Sequence, residues 1–381
     1  MSRIDELIER RCPEGVEYKA LGEVACYAKE RITADALEEG AYVGVNELLQ
    51  EYRGRSYETH VPSEDKCIAY RPNDILLGNI RPYLKKMWLA DCSGGTNGDV
   101  LVIRVNDETQ ISPDFLWQVL AGGVFTEYNI ANSKGAKMPR GDKKAILEFR
   151  IPVPPMEVQE EIVRVLDSFA ELEAELEAEL EARKAQYAYY RDNLLSKENL
   201  EHLCPNGVEY KALKAVAKIV GGRDYKNFGE GPVPVYGSGG IMTYVDTAAY
   251  EGPTVLLPRK GSISNVFYVD GPFWNVDTVF YTVIDQNQIM PRYFYHVILN
   301  EHIEKLNTSN AARPALTRKV LDEILIPVPP LEEQERIVAQ LDQFDALVND
   351  ITQGLPAEIE ARRKQYAYYR DKLLTFKEIG R

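Results

Sequence analysis

After Pro154 and Pro155 the apolar residues fall at Val158, Ile162, Val165, Phe169, Leu172 and Leu176, in alternating steps of four and three. That spacing is a heptad seam and predicts a helix. The seam resumes at Tyr187, Tyr190 and Leu194, and the intervening run 171–182 repeats Glu-Leu-Glu-Ala, strong helix formers. A helix from Met156 to Leu195 would be roughly 60 Å long at about 1.5 Å per residue. A second seam runs through Ile337, Leu341, Phe344, Leu347 (or Val348) and Ile351, then Tyr366, Tyr369 and Leu373. Gly354-Leu-Pro356 predicts a kink or break within it. From hinge to tyrosine motif the second segment is four residues longer, about one turn, so its seam returns to the same face. The two helices are expected to pack on each other as an antiparallel coiled coil. The alternative, each helix docked on its own globular block, suits less well segments that stay charged for so long.

These helices frame a duplication. Cys12-Pro-Glu-Gly-Val-Glu-Tyr-Lys-Ala-Leu recurs from Cys204 to Leu213 with one change, Ile151-Pro-Val-Pro-Pro recurs from Ile326, and Gln186-Tyr-Ala-Tyr-Tyr-Arg-Asp recurs from Gln365. The order is the same each time: short leading motif, variable block, proline hinge, long charged segment. A period this long argues for one two-part module used twice, related by a pseudo-twofold axis, and not for a solenoid.

The variable blocks, residues 26–150 and 218–325, read as mixed α/β. Strand-like runs occur at Ala41–Val45, Asp74–Leu77, Val100–Arg104, Thr254–Leu257, Val266–Val269 and Thr278–Val283. Helices are expected at Asp114–Leu120, behind Ser112-Pro113, and at Pro291–Asn300. Ile75-Leu-Leu aligns with Val255-Leu-Leu, Asn97-Gly-Asp99 with Asn275-Val-Asp277, and Pro139…Lys143-Lys144 with Pro314…Arg318-Lys319. The architecture is therefore expected to be α+β, with two mixed α/β domains separated by two long helices. The divisions are residues 1–150, 151–199, 200–325 and 326–381.

Composition adds three points. The chain has 381 residues, 45% hydrophobic and 27% charged, an ordinary globular balance. Its net charge of −14 argues against nucleic-acid binding until it is located. Residues 156–199 hold five basic against twelve acidic side chains, and residues 331–379 seven against ten, so most of the excess sits on the helices while the blocks are near neutral. Five scattered cysteines without a CxxC pair, and no apolar run of membrane length or signal-like leader, point to reduced thiols and a cytoplasmic protein that does not enter a membrane.

Two basic loops stand out in each block. In the first, Asn79, Arg81, Tyr83, Lys85 and Lys86 follow a strand, and Lys134, Lys137, Arg140, Lys143 and Lys144 crowd a second loop. In the second, Arg259, Lys260 and Ser262 follow the corresponding strand, Arg313, Arg318 and Lys319 take the place of the lysine-rich loop, and Tyr236 and Ser238 lie on a Gly-rich turn. Arg and Lys hold phosphates, and Arg, Lys and Asn read base edges, so the pattern suits duplex DNA; an ordinary solvated loop is the plain alternative. Catalytic signals are missing. There is no GxGxxG or GxxxxGK[ST] opening and no Asn/Asp-Pro-Pro-Tyr/Phe motif. His60, His202, His296 and His302 form no metal-ligand spacing, and Asp142-Lys143-Lys144 reads as a basic loop with a chance acid.

The hinge motifs Ile151-Pro-Val-Pro-Pro-Met-Glu-Val-Gln-Glu and Ile326-Pro-Val-Pro-Pro-Leu-Glu-Glu-Gln-Glu, with the tyrosine motifs from Tyr187 and Tyr366, resemble the specificity subunit of Type I restriction–modification systems. Stretches 78–86, 94–99, 135–144 and 258–264 are similar to parts of that family's target recognition domains. The resemblance implies two target recognition domains, each reading half of a split, asymmetric double-stranded DNA site. It implies helices that set the gap and dock two modification (methyltransferase) subunits, with Val158, Ile162, Phe169, Leu176, Tyr187, Tyr190, Ile337, Leu341, Phe344, Tyr366 and Tyr369 on the seam. Restriction subunits complete the complex. The chain itself would be non-enzymatic and bind no metal or cofactor, while its partners use S-adenosylmethionine, ATP and Mg²⁺. The rival classes are a coiled-coil scaffold that reads no DNA and a self-sufficient DNA methyltransferase or nuclease.

Overall fold

The computed structural model describes residues 3–57, 65–307, 314–349 and 354–380. Arg313, His60 and Ile351 lie outside the described residues. The chain divides into two compact units, Met1–Leu176 with Ile359–Arg381, and Glu177–Glu358. Each unit therefore combines one variable block with helical segments from both copies of the repeat.

The first block is built on a four-stranded antiparallel sheet of β1 (Ala25–Tyr27), β2 (Ile75–Gly78), β3 (Met87–Leu89) and β4 (Val100–Val105), in the order β1-β4-β2-β3. The second repeats it with β5 (Ala217–Gly221), β6 (Pro253–Pro258), β7 (Phe267–Asp270) and β8 (Val279–Ile284), in the order β5-β8-β6-β7. The central strands are continuously apolar because both faces are covered. Ile75, Leu77, Leu101 and Ile103 enter one core and Leu76, Val100 and Val102 another, the two-residue alternation of a strand. A three-stranded sheet completes each block, and the expected strand at Ala41–Val45 is reduced to an isolated parallel bridge between Tyr42 and Gly95.

Helix α1 (Pro113–Ala121) follows the first sheet. Its proline at the first turn and the Ser112 hydroxyl accepting from the Phe115 amide explain its start. Helix α2 (Met156–Leu194) is unbroken over 39 residues. Helix α3 (Pro291–Asn300) is the counterpart of α1; α4 (Leu331–Asn349) precedes the Gly-Leu-Pro motif, and α5 (Leu355–Leu373) begins just after Gly354 with Pro356 in its first turn.

The glutamine of each hinge motif ties hinge to block. Gln159 accepts from the Ser112 amide and donates to the carbonyls of Gln110 and Pro154, at 2.8–2.9 Å. Gln334 repeats this with the Met290 amide and the carbonyls of Gln288 and Pro329, at 2.7–3.0 Å. Both side chains are fully buried, where hydrogen bonds fix geometry because loss is costly.

The seam does two jobs where one was expected. Val158 and Ile162 are buried in the core of the first block, and Ile337 and Leu341 in that of the second, so the start of each helix docks on its own block. Farther along, helix meets helix. In the first unit Phe169 stacks on Tyr366 and Tyr369, and Arg363 of α5 pairs with Glu173 of α2 at 2.6 Å. In the second unit Tyr190 stacks on Phe344 at 5.1 Å. Residue numbers rise on one helix as they fall on the other, which is antiparallel pairing within the first unit. Leu176 is half-buried.

Candidate nucleic-acid interface

The strand β2 ends at Gly78 and the chain turns beneath the second basic loop. The amide of Arg81 donates to the Pro139 carbonyl at 2.7 Å, and Ile80 pairs with Arg140 as an antiparallel bridge. In the second block, β6 ends at Pro258, the amide of Gly261 donates to the Pro314 carbonyl at 3.3 Å, and Lys260 pairs with Ala315. The two loops singled out in each block are thus brought together in the same way. Arg81 and Gly261 occupy the same place and both have left-handed backbone, φ +52° and +85°. A non-glycine residue there costs roughly 1–2 kcal/mol, which the crossing loop has to offset.

Beyond the crossing, each second loop starts a short helix. Asp142 caps residues 143–148, accepting from the Lys144 and Ala145 amides, and Thr317 caps residues 318–322, accepting from the Val320 amide. Asp142 is therefore a structural cap, correcting its reading as a chance acid. Its ion pair with Lys134, then those two amides, hold its carboxyl below the ordinary range. Lys143-Lys144 and Arg318-Lys319 stand in the first turn, where the helix dipole disfavours cations. Both copies keep them regardless; Lys144 and Arg318 each find an acid one turn on, whereas Lys143 and Lys319 make no ion pair among the described residues.

Each crossing borders a groove. In the first block it measures about 630 Å³ and is lined by Asn46, Glu47, Ile80, Arg81, Asp99 and Met138, among others. In the second it measures about 660 Å³ and is lined by Lys226, Ser238, Met242, Asp277 and Thr278, among others. Asp99 and Asp277, the aligned acids, line the grooves and each holds a basic side chain: Arg140 pairs with Asp99 at 2.7 Å, and Lys260 with Asp277 at 3.6 Å. Asn46, Glu47, Lys226 and Met242 were not found in the sequence; they come from segments that meet the groove only in the fold.

The remaining candidates divide by environment. Arg81, Lys137, Lys143 and Lys319 are exposed and make no side-chain ion pair among the described residues. Lys85 pairs with Glu51 at 2.9 Å, Lys144 with Glu148 at 3.7 Å, and Arg318 with Asp322 at 3.4 Å. Arg259 is half-buried and donates to the Asp277 carbonyl. Ser262 is exposed, and Tyr236 and Ser238 are half-buried. Two candidates are held within the fold, Asn79 buried beneath the crossing loop and Lys86 at the wall of the first groove. Asn79 is 5% exposed and packs beneath Gly141, where a β-carbon would come within 2.8 Å of its Oδ1. Lys86 donates to the Val45 carbonyl, and burial lowers its ammonium below the usual range. Tyr83 and Met138 in the first block, and Met242 and Tyr244 in the second, add exposed apolar surface near the loops. Among the described residues no group of His, Cys, Asp and Glu could hold a metal ion, and no helix is long and apolar enough to cross a membrane.

Two comparable blocks on one scaffold, each presenting crossed basic loops beside a groove, define a duplicated surface with different side chains. The family described as Type I restriction modification DNA specificity domain matches residues 13–182 and again residues 205–361, and the chain belongs to that family. It is 36% identical over 289 residues to the type I restriction enzyme EcoR124I/EcoR124II specificity subunit of Escherichia coli, spanning 65% of this chain and 70% of that one. It is 33% identical to a putative type I specificity subunit of Mycoplasma pneumoniae, over 60% of this chain and 97% of that one. The crystal structure of the S subunit of a Type-I restriction-modification system from M. genitalium shares the fold, with a TM-score of 0.58 at 19% identity, covering 94% of this chain and 96% of that one.

Proposed function

We propose that this specificity subunit reads a bipartite, asymmetric DNA site, one half with each target recognition domain, and docks modification subunits on its helices. What supports this most directly is the repeated loop crossing, Ile80 with Arg140 and Lys260 with Ala315, which presents unlike side chains from one scaffold. Lys134, Lys137, Arg140, Lys143 and Lys144 position the first domain on phosphates, and Arg318 and Lys319, with Arg313 of the adjoining stretch, position the second. Arg81 and Arg259, beside the grooves, are the base readers. The chain performs no catalytic step: adenine methylation with S-adenosylmethionine, and ATP- and Mg²⁺-dependent cleavage, belong to the modification and restriction subunits. The setting is the cytoplasm.

Methylation mapping of DNA from cells carrying this chain and its modification partner tests the reading. The expected result is methylated adenines in two unlike half-sites at a constant gap. A scaffold without DNA reading leaves no sequence-specific methylation, and a self-sufficient enzyme methylates or cuts DNA without any partner. Because α2 is one unbroken helix, inserting four residues within 171–181 should change the gap and leave both half-sites intact.

A further inference from the structure

The two units share a helix junction down to individual hydrogen bonds. In the second, Tyr187 bonds His296 at 2.9 Å, and His296 bonds Asp342 at 2.8 Å. In the first, Tyr366 donates to Gln118 at 3.1 Å, and Gln118 donates to Asp167 at 3.3 Å. Arg191 lies over the Tyr187 ring and Arg370 over the Tyr366 ring. One turn before His296 on α3 stands Arg292, and one turn before Gln118 on α1 stands Asp114.

That exchange changes the chemistry. The Arg292 guanidinium bonds Asp342 at 2.6 and 3.0 Å and Asp345 at 2.9 Å, and lies over the rings of Tyr268 and Tyr295 at 4.7 and 5.1 Å. In the first unit the corresponding place is a pocket of about 240 Å³, lined by Leu89, Asp114, Trp117, Gln118 and Asp167, with Trp88 beside them. Leu89 stands where Tyr268 stands, by the matching strand register, and Trp117 where Tyr295 stands. One of the two rings and one of the two carboxylates that hold Arg292 thus have counterparts in the first unit, Trp117 and Asp167, with Ala170 in place of Asp345 and Asp114 in place of the guanidinium. Burial, then repulsion from Asp114, raises the Asp167 carboxyl above its ordinary range, as expected of an acid lacking a cation.

We infer that this pocket receives an arginine side chain from a protein partner, seated between Trp117 and the carboxylates of Asp114 and Asp167 as Arg292 is seated in the second unit. That the partner is a modification subunit rests on the function proposed above; the preference for a guanidinium does not. Methylguanidinium is the probe. In the full chain labelled with ¹⁵N at tryptophan, the Trp117 indole resonance should shift saturably with methylguanidinium, while Trp274, whose indole N–H donates to the Arg223 carbonyl of the second unit, stays in place. Neutral methylurea should have at least tenfold weaker effect. Asp167→Asn, which keeps the side-chain shape, should weaken the response at least tenfold. Asp114→Arg should abolish it by filling the pocket from within, and should weaken modification-subunit binding at least tenfold. No shift of Trp117, equal shifts with methylurea, or unchanged partner affinity of a folded Asp114→Arg variant would each overturn the inference. A chain that reads no DNA but responds to methylguanidinium would overturn only the proposed function.

Discussion

The two units are alike where hinge and helices are tied together and unlike along the loops and grooves. Gln159 and Gln334 make the same three bonds, and Phe169 and Phe344 stack on tyrosines of the same motif. Around the grooves the scaffold is preserved while side chains change: Arg81 against Gly261, Arg140 against Ala315, Asp142 against Thr317. The repeat has thus kept the hinge while the loops differ, as expected where packing constrains one set of positions and leaves surface loops freer to vary. The helix junctions show the same contrast within a few ångströms. A tyrosine-to-acid chain is common to both, yet Arg292 occupies in one unit the place that Asp114 leaves open in the other.

The strongest way to break the likeness is at the hinge. Gln159→Leu and Gln334→Leu should each cost about 3 kcal/mol, since each strands buried amide and carbonyl groups. Denaturant unfolding should show the two losses equal within error; a large inequality would mean the hinges are not equivalent. Next comes Arg292→Ala. It uncovers Asp342 and Asp345, and because Asp342 is 37% exposed the expected loss is about 2 kcal/mol, below that of a fully buried pair. Asp114→Ala, at the matching site, should leave stability unchanged or slightly higher. Lys319→Ala and Lys143→Ala sharpen the reading of the interface. Each should weaken binding to all sequences alike, by about 1 kcal/mol, and reduce the salt dependence of affinity by about one counterion.

The smallest effect is one of sign with pH. Burial works to raise the Asp342 carboxyl, but hydrogen bonds from His296 and Arg292 outweigh it and hold it below the ordinary range. Its contribution to stability is therefore present above the unfolded carboxyl value of about 3.9 and is lost as pH falls through the lower folded value. Asp167 is raised, so its contribution is present below the unfolded value and is lost as pH rises through the folded one. Between pH 6 and 3, Asp342→Asn should flatten a fall in stability and Asp167→Asn should remove a gain. Parallel changes in the two variants would contradict the opposite settings.

Periodicity made the long helices and the matched helices at residues 113–121 and 291–300 legible from the sequence, and alignment of the repeat paired the loops correctly. What escaped was tertiary. A heptad seam does not say which turns face a block and which face another helix, so the docking role of Val158, Ile162, Ile337 and Leu341 emerged only in the fold. Asn79 follows a strand in a basic loop, as a reader would, but the crossing loop buries it. The groove walls come from segments far apart in sequence, and the open pocket beside Asp114 becomes recognisable only when Arg292 is seen filling its counterpart.

The central claim is that two unlike blocks on one scaffold each read their own half of a DNA site. It is tested most directly by methylation mapping with Arg81→Ala and Arg259→Ala, each expressed with the modification partner. The account predicts that each variant relaxes one half-site and leaves the other and the gap unchanged, with discrimination at the affected base falling by about 1–3 kcal/mol. Relaxation of the same half-site by both variants, or of neither, would contradict it.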